Sequence, residues 1–428
     1  MKKIPVCFLS TLLFLIFNGF CQFEINIPFF SHPPAIDGNL NESCWQKAYV
    51  FDVVKSVEGD LLKDRWKVFL GCDTEAIYTG IEAEVSEPDR ILKMINTRDA
   101  KVWKDDCFEI MVDYKNEGKE YIHLLINTQS VKCDLKFSPD ARIADPKNFD
   151  NDWPAICQVK GNKIFVEFKI PYAMFDLFGK KDNDFRINIC RENKIQGEYS
   201  SITGTFQEID KFFTLKNLPI PDVLKKVNLY DINWATYFGE NILTVKLTNA
   251  SDKKITCKIE MMDRNGSLTD IETVQSVKPK ETLEIKKKYF IGEPTGDREI
   301  VLRLIDAKTG DLIKTIGKVF SLQPEISVYT DKYLYDETDR EMAVKVKLNL
   351  LPEILKESQL KIYLKKDGKK NLLWQKKGLD SEVVAIINLK DMPFGIKTIV
   401  AEIEYRKTKN EMSVPFRKGK SPFYREEL

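Results

Sequence analysis

The sequence predicts an all-β protein built from three consecutive β-sandwiches. Three observations predict it. Apolar residues alternate at period two in short runs, as in Asn241-Ile-Leu-Thr-Val-Lys-Leu-Thr248, rather than recurring at helical spacing. Gly, Pro, Asn and Asp bound almost every run. The runs follow one another with hardly any helical stretch between them, which is the pattern of strands layered into sandwiches.

The chain begins with Lys2 and Lys3, then an apolar run over 6–17, then Gly19-Phe20-Cys21 before Gln22. This is the layout of a cleaved export signal over residues 1–21. The run is too short to span a bilayer comfortably. Phe20 stands where a lipid-anchored cysteine at 21 would want a small residue, so cleavage is favoured over acylation. The expected location is extracellular or periplasmic, with no transmembrane segment once the signal is removed.

Residues 23–30 read as an edge strand ended by Ser31-His-Pro-Pro34. Ala35-Ile-Asp-Gly38 reads as a tight turn, and 41–48 as a short helix carrying Trp45. Strands are predicted at 66–72, 76–85, 107–114, 121–127, 131–137, 155–160, 163–170 and 185–191. Gly161-Asn162 supplies a hairpin turn, and Phe212-Phe-Thr-Leu215 is the closing strand. The first sandwich therefore covers 22–218. Asn217-Leu-Pro-Ile-Pro-Asp222 is a linker. A second block over 223–323 has about seven strands in roughly 100 residues, which suits an immunoglobulin-like sandwich. Gln323-Pro324 opens a third, over 324–417, read as a second immunoglobulin-like domain. Residues 418–428 form a polar tail.

Composition excludes several classes of function. The 428 residues include 66 basic and 65 acidic side chains, a net charge of +1. Nucleic acid or an anionic membrane would want a basic surface. Only His32 and His123 are present, so few histidine-based zinc sites or catalytic triads can be assembled. Nine cysteines include no CxxC pair, and seven remain after the signal: Cys44, Cys72, Cys107, Cys133, Cys157, Cys190 and Cys257. Most lie inside alternating runs and read as core thiols.

The most informative stretch is Lys101-Val-Trp-Lys-Asp-Asp-Cys-Phe-Glu-Ile-Met-Val-Asp113. An aromatic ring, Trp103, precedes two carboxylates, Asp105 and Asp106. Phe108, Ile110 and Val112 then share one strand face, and Cys107, Glu109, Met111 and Asp113 the other. Taken alone, the stretch is a core tryptophan beside a solvated acidic loop. It also has the parts of a sugar platform: a flat ring for an apolar pyranose face and carboxylates for hydroxyls.

An ordered motif series tips that balance. Ile36-Asp-Gly-Asn-Leu-Asn-Glu-Ser-Cys-Trp-Gln-Lys-Ala48, Ala76-Ile-Tyr-Thr-Gly-Ile81, Val102 to Asp113, Tyr121-Ile-His-Leu-Leu-Ile-Asn127, Phe165-Val-Glu-Phe-Lys-Ile-Pro171 and Phe185-Arg-Ile-Asn-Ile-Cys-Arg191 occur at compatible spacing. With them the first half of the chain, about 25–218, resembles carbohydrate-binding module family 9. The resemblance implies a sandwich that holds a glycan end between two aromatic rings. Position by position the rings are Trp103 and Phe206, and the polar contacts Glu109 and His123. Phe206 stands where the family typically has Trp, and His123 where it has Arg. The family also binds structural calcium, for which Asp105, Asp106, Asp150 and Asp152 are the candidates; no organic cofactor is implied.

Three other chemistries compete. A glycosidase needs two carboxylates facing each other across a gap. Glu109 and Asp113 share one side of a strand and Asp106 points the opposite way, so Glu109 reads as a ligand-orienting acceptor. Haem would need axial ligands such as His123 and Met111, and there is no CxxCH. An adhesion or scaffold role would rest on the two C-terminal domains, which carry no catalytic motif, docking a protein partner. The expectation is thus an exported, non-catalytic protein that binds a polysaccharide or oligosaccharide in support of carbohydrate catabolism, as an accessory to glycoside hydrolases.

Overall fold

A computed structural model describes residues 23–137, 149–264, 271–366 and 368–420. The segment read as an export signal, with Cys21, and the last eight residues of the expected tail lie outside the described residues. Among the described residues the fold is all-β, with six sheets and two short α-helices at Asp222–Lys226 and Pro352–Glu357. No described helix is long and apolar enough to cross a membrane.

The first unit contains twelve strands: β1 (Glu24–Ile25), β2 (Tyr49–Lys55), β3 (Leu61–Cys72), β4 (Ala76–Glu84), β5 (Cys107–Asp113), β6 (Tyr121–Asn127), β7 (Lys132–Phe137), β8 (Ala155–Lys160), β9 (Lys163–Pro171), β10 (Phe185–Asn193), β11 (Glu198–Ser201) and β12 (Phe213–Leu215). They form two sheets. One runs β1-β12-β10-β5-β6-β7, with β11 paired to β10; the other runs β2-β3-β4-β9-β8. The inner faces meet in one large core that includes Trp66, Phe108, Ile110, Val112, Trp153, Phe168 and Phe185.

Differences from the sequence reading have physical causes. Where 23–30 reads as one edge strand, only Glu24–Ile25 pairs, in parallel with Thr214 and Leu215. Pro28 lacks a donor, and the segment instead closes by a bridge from Phe29 to Cys72. The helix expected at 41–48 is a single 3-10 turn, Trp45–Lys47. It is fixed by the buried indole, whose Nε1 donates to Glu167 Oε1 at 3.1 Å. The Arg191 guanidinium donates to the backbone carbonyls of Asp64 and Glu84, at 3.0 and 2.8 Å, and lies over the Phe108 ring. All seven described cysteines are free and buried, as core thiols should be.

The second unit stacks a three-stranded sheet (Val227–Trp234, Gly239–Asn249, Glu281–Ile291) on a four-stranded one (Ile255–Asp263, Ile271–Val277, Gly296–Asp306, Leu312–Leu322) around its own core. The third pairs Ile326–Thr330, Glu341–Leu348 and Glu382–Asn388 against a five-stranded sheet ending in Gly395–Tyr405 and Thr408–Lys418. Lys418, read as the start of the tail, closes that last strand and is buried.

The first two units are fastened by charge. Asp152 lies between Arg264, in direct contact, and Arg303, whose Nη2 is 2.7 Å from Oδ2. Burial opposes its ionisation, but the two guanidiniums outweigh burial and hold its carboxyl below the usual range. Asp150 accepts from the Val319 amide at 2.9 Å, and its carbonyl accepts from Gly317 at 3.0 Å. At Gly317 an added Cβ would lie 3.0 Å from the Asp150 backbone, so only glycine allows this approach without displacement.

Candidate functional site

Every residue of β5 is buried, on both faces. The inner face is the sandwich core. The outer face, Cys107, Glu109, Met111 and Asp113, is covered by two small apolar clusters. One groups Val102, Cys107, Leu125, Cys133 and Leu135, with Trp103 packed against it. The other groups Met111, Tyr121, Cys190 and Phe212, with Phe206 packed against it. The register puts Met111 opposite His123 and Glu109 opposite Leu125 and Cys190. Glu109 therefore sits between Cys107 and Met111 along β5, and His123 between Leu125 and Tyr121 along β6. A polar row separates the two clusters, with Trp103 on one side and Phe206 on the other.

Local structure fixes both rings. Trp103 occupies a 3-10 turn, Val102–Lys104. Behind it the Asp105 carboxylate accepts from the Met94 and Ile95 amides and from Asn127 Nδ2, each at 2.9 Å. Asp106 accepts from the Leu92 amide at 2.6 Å and the Lys194 amide at 2.8 Å. These aspartates shape the loops that carry the indole. Phe206 is held by Asn188, whose Nδ2 donates to the carbonyls of Thr205 and Phe206 at 2.9 and 2.8 Å. Its ring lies edge-on to Tyr199, with centroids 6.0 Å apart.

In the polar row, His123 Nε2 lies 2.6 Å from Glu109 Oε2. Glu109 is only 2 % exposed. Burial opposes its charge, but the His123 ring and donors from Glu192 and Cys107 more than offset that, and its pKa is lowered. It forms the floor of the row, whereas His123 and Glu192, 8 % and 11 % exposed, stand nearer the surface. Cys107 Sγ and one carboxylate oxygen each of Glu109 and Glu192 lie within 4.8 Å of one another. Burial, and then the Glu109 charge, push Glu192 up to about 8 against the pull of Lys194. Lys194 contacts the Glu192 carboxylate and lies over the Tyr199 ring, 4.9 Å from its centroid.

The structure thus brings Glu109 and His123 into contact and sets Trp103 and Phe206 on the two sides of their row. The sequence reading missed Glu192 and Lys194 because it ended the strand at Arg191. The strand continues to Asn193, with Glu192 paired to Cys107 and so facing outward. The alternation Cys190, Glu192, Lys194 was the available signal.

The aspartates proposed for calcium do not form one cation site. Asp105 and Asp106 spend their oxygens on backbone and amide donors, and Asp152 faces two guanidiniums, whose charge would repel a cation. Asp150 lies at the junction with the second unit, on the Val319 amide.

No family model matches the chain, and no curated protein matches it. Solved structures do. A carbohydrate binding module family 9 from Caldicellulosiruptor kristjanssonii, in complex with cellotriose, is 15% identical; the match covers 46% of this chain and 95% of that one, with a TM-score of 0.34. A protein from Bacteroides uniformis, provisionally assigned to carbohydrate binding, is 11% identical over 45% of this chain and 98% of its own, with a TM-score of 0.36.

Proposed function

We propose that the first unit binds carbohydrate on the outer face of its seven-stranded sheet. The observation that carries this reading is the polar row of Glu109, His123 and Glu192, flanked by Trp103 and Phe206. A pyranose offers apolar faces and hydroxyl edges. Rings on either side of the row can meet the faces, and His123, Glu192 and Lys194 can meet the hydroxyls. Glu109 holds His123 in place from below. The ordered motif series supports the same reading.

Binding here is by stacking and hydrogen bonding, without bond cleavage. Glu109 and Glu192 are neighbours on adjacent strands and contact each other, so they do not straddle a gap in which a glycosidic oxygen could sit. In the full reading the protein is exported and supplies glycan to hydrolases. The two smaller units then act as immunoglobulin-like spacers that dock a protein partner. A glycan array with wild type and Trp103→Ala tests the site. Binding that depends on Trp103 supports it; no glycan bound, or binding indifferent to the substitution, overturns it. Reducing sugar released from polysaccharide, and lost in Glu192→Gln, would assign the face to a hydrolase instead.

A further inference from the structure

The junction of the first two units distributes its charges unevenly. At one end a single carboxylate, Asp152, takes two guanidiniums, Arg264 and Arg303. At the other end several carboxylates share one. Arg98 Nη2 lies 2.7 Å from Asp134 Oδ1, Nε 3.3 Å from Asp99 Oδ2, and Nη1 3.4 Å from Glu299 Oε1 on the second unit. Asp150 adds its charge to the same guanidinium. Only the Asp134 contact is a hydrogen bond. Asp99 Oδ2, Glu299 Oε1 and Asp150 Oδ1 are buried without a hydrogen-bond partner among the described residues. Little water reaches this end: the side chains of Asp134, Asp99 and Glu299 are 0 %, 7 % and 12 % exposed.

The other groups that face Asp134 leave the imbalance in place. On its own strand, β7, Lys132 donates to the Trp153 carbonyl at 3.1 Å and lies over the Trp153 ring, and Lys136 pairs with Glu120. Burial pushes the neighbouring Cys133 thiol up, so it stays uncharged. From the second unit, Arg264 stands 3.9 Å from Glu299 but touches Asp152, and Lys318 donates to the Trp234 carbonyl. Four carboxylates on one guanidinium in a dry space resist being ionised together. A proton kept among them belongs to the set. Both oxygens of Asp134 already accept, from Arg98 and from the Asn151 amide. The open places are therefore Asp99 Oδ2 and Asp150 Oδ1, where a proton turns an orphaned acceptor into a donor.

Titration runs the same way. Burial pushes Asp134 up to about 8 against the pull of Arg98, with Asp99 and Asp150 adding to the rise. Burial likewise pushes Asp99 up to about 6 and raises Asp150. An aspartate in water titrates near 3.9, so the joined units hold a proton that parted units release. That advantage is complete below about 3.9 and is lost as the pH rises through 6 to 8. Lys132, brought down to about 8 by burial, has the opposite sign, but between 8 and about 10.4. Asp152, held low by its guanidiniums, changes only at acid pH.

We propose that this junction is a proton-operated latch: a proton held among Asp99, Asp134 and Asp150 keeps the first two units locked through Arg98, and its loss loosens them. Once it leaves, three carboxylates of the first unit face Glu299 of the second around a single cation. The latch sets how the outer face of the seven-stranded sheet is held relative to the rest of the chain, and it does not depend on what that face binds.

Hydrogen exchange of the full chain tests this at the Gly317 and Val319 amides, which donate to Asp150 across the junction. Their protection, corrected for intrinsic exchange, should fall about ten-fold or more from pH 6 to pH 8, since one linked proton is worth about ten-fold per pH unit. The strand Gly239–Asn249, inside the second unit, should keep its protection. Asp150→Asn retains an oxygen for the Val319 amide and places a permanent donor at the other position, so its junction should stay protected at pH 8. Glu299→Gln, which removes the facing charge and leaves the Asp150 bonds intact, should shrink the fall. Flat wild-type protection overturns the latch, as does an equal loss over Gly239–Asn249. A wild-type fall that Asp150→Asn reproduces overturns it too. If Asp150→Asn is unprotected at every pH, Glu299→Gln decides, and a fall there equal to wild type overturns the proposal.

Discussion

Two carboxylates on outer sheet faces are almost equally buried, and their surroundings differ. Glu402, in the third unit, is 1 % exposed. Burial opposes its charge, but Lys409, Lys370 and Tyr363 donate to it and hold its pKa below the usual range. Lys370 is shared with Glu411. Each negative charge there has a cation at hand, and nothing is left over for a ligand. Glu109, in the first unit, has an imidazole, a thiol and a second carboxyl for neighbours. Two acids share one small space with Lys194 on the outer one only. A structural ion pair is complete in itself, whereas the row between the Trp103 and Phe206 clusters sets two acids side by side with a single lysine on the outer one. Perturbed acid clusters of the second kind are where function concentrates.

That contrast can be broken by removing each carboxylate. Glu109→Ala leaves His123, Glu192 and Cys107 around a buried void, so a loss of about 2–3 kcal/mol in unfolding free energy is expected. Glu402→Ala should cost about 1 kcal/mol. Lys370 and Lys409 are 30 % and 58 % exposed and can turn to water when their partner goes. Urea denaturation of both variants checks the order. Equal losses, or a larger one at Glu402, would mean that the two sites are built alike.

A second test separates binding from folding. Trp103 is half-buried at the edge of a small cluster, outside the main core. Trp103→Ala should lower glycan affinity about ten-fold or more, the loss of one stacking ring with its buried area. Its unfolding midpoint should fall by less than that of Trp153→Ala, which empties a position fully enclosed in the main core. Isothermal titration and thermal melting on the two variants measure both halves.

Much of this arrangement is legible in the sequence because strand alternation and turn residues are local signals. Glu109 on the outer face, Phe108 on the inner, and Trp66 and Trp153 as packing residues all follow from period two and bulk. The pairing of strands is not local. Nothing in the spacing of Glu109 and His123 states that β5 and β6 are neighbours in a register that brings Nε2 to Oε2. Glu192 was hidden for a related reason: a charged residue at the end of an apolar run looks like solvent-exposed loop, and only the pairing with Cys107 shows that the strand continues. The fastening of the first unit to the second by Asp152, Arg264 and Arg303 spans more than 110 positions, beyond any pattern in a single stretch.

The smallest expected effect sharpens the comparison most, because it asks how the acid cluster handles its proton. Glu192 has a folded pKa pushed up to about 8, first by burial and then by Glu109, above the unfolded value of about 4.3. Below pH 4 both states are protonated at this position, and its contribution to folding is fully present. Between about 4.3 and 8 the unfolded chain releases the proton and the folded chain keeps it. Stability is lost over that window, and the loss levels off above 8. Glu109 has the opposite sign. Its folded pKa is lowered, so its contribution is present above the unfolded value and disappears as the pH falls through the folded one. Glu192→Gln removes the first effect and keeps a side chain of the same shape that can still donate to Glu109. Relative to wild type, the variant should gain stability from pH 5 to pH 8 and little beyond in urea titrations, while Glu402→Gln should show no such gain over the same range. Parallel curves for wild type and Glu192→Gln would mean that Lys194 alone neutralises Glu192, and the outer face would then be a closed ion pair like the one around Glu402.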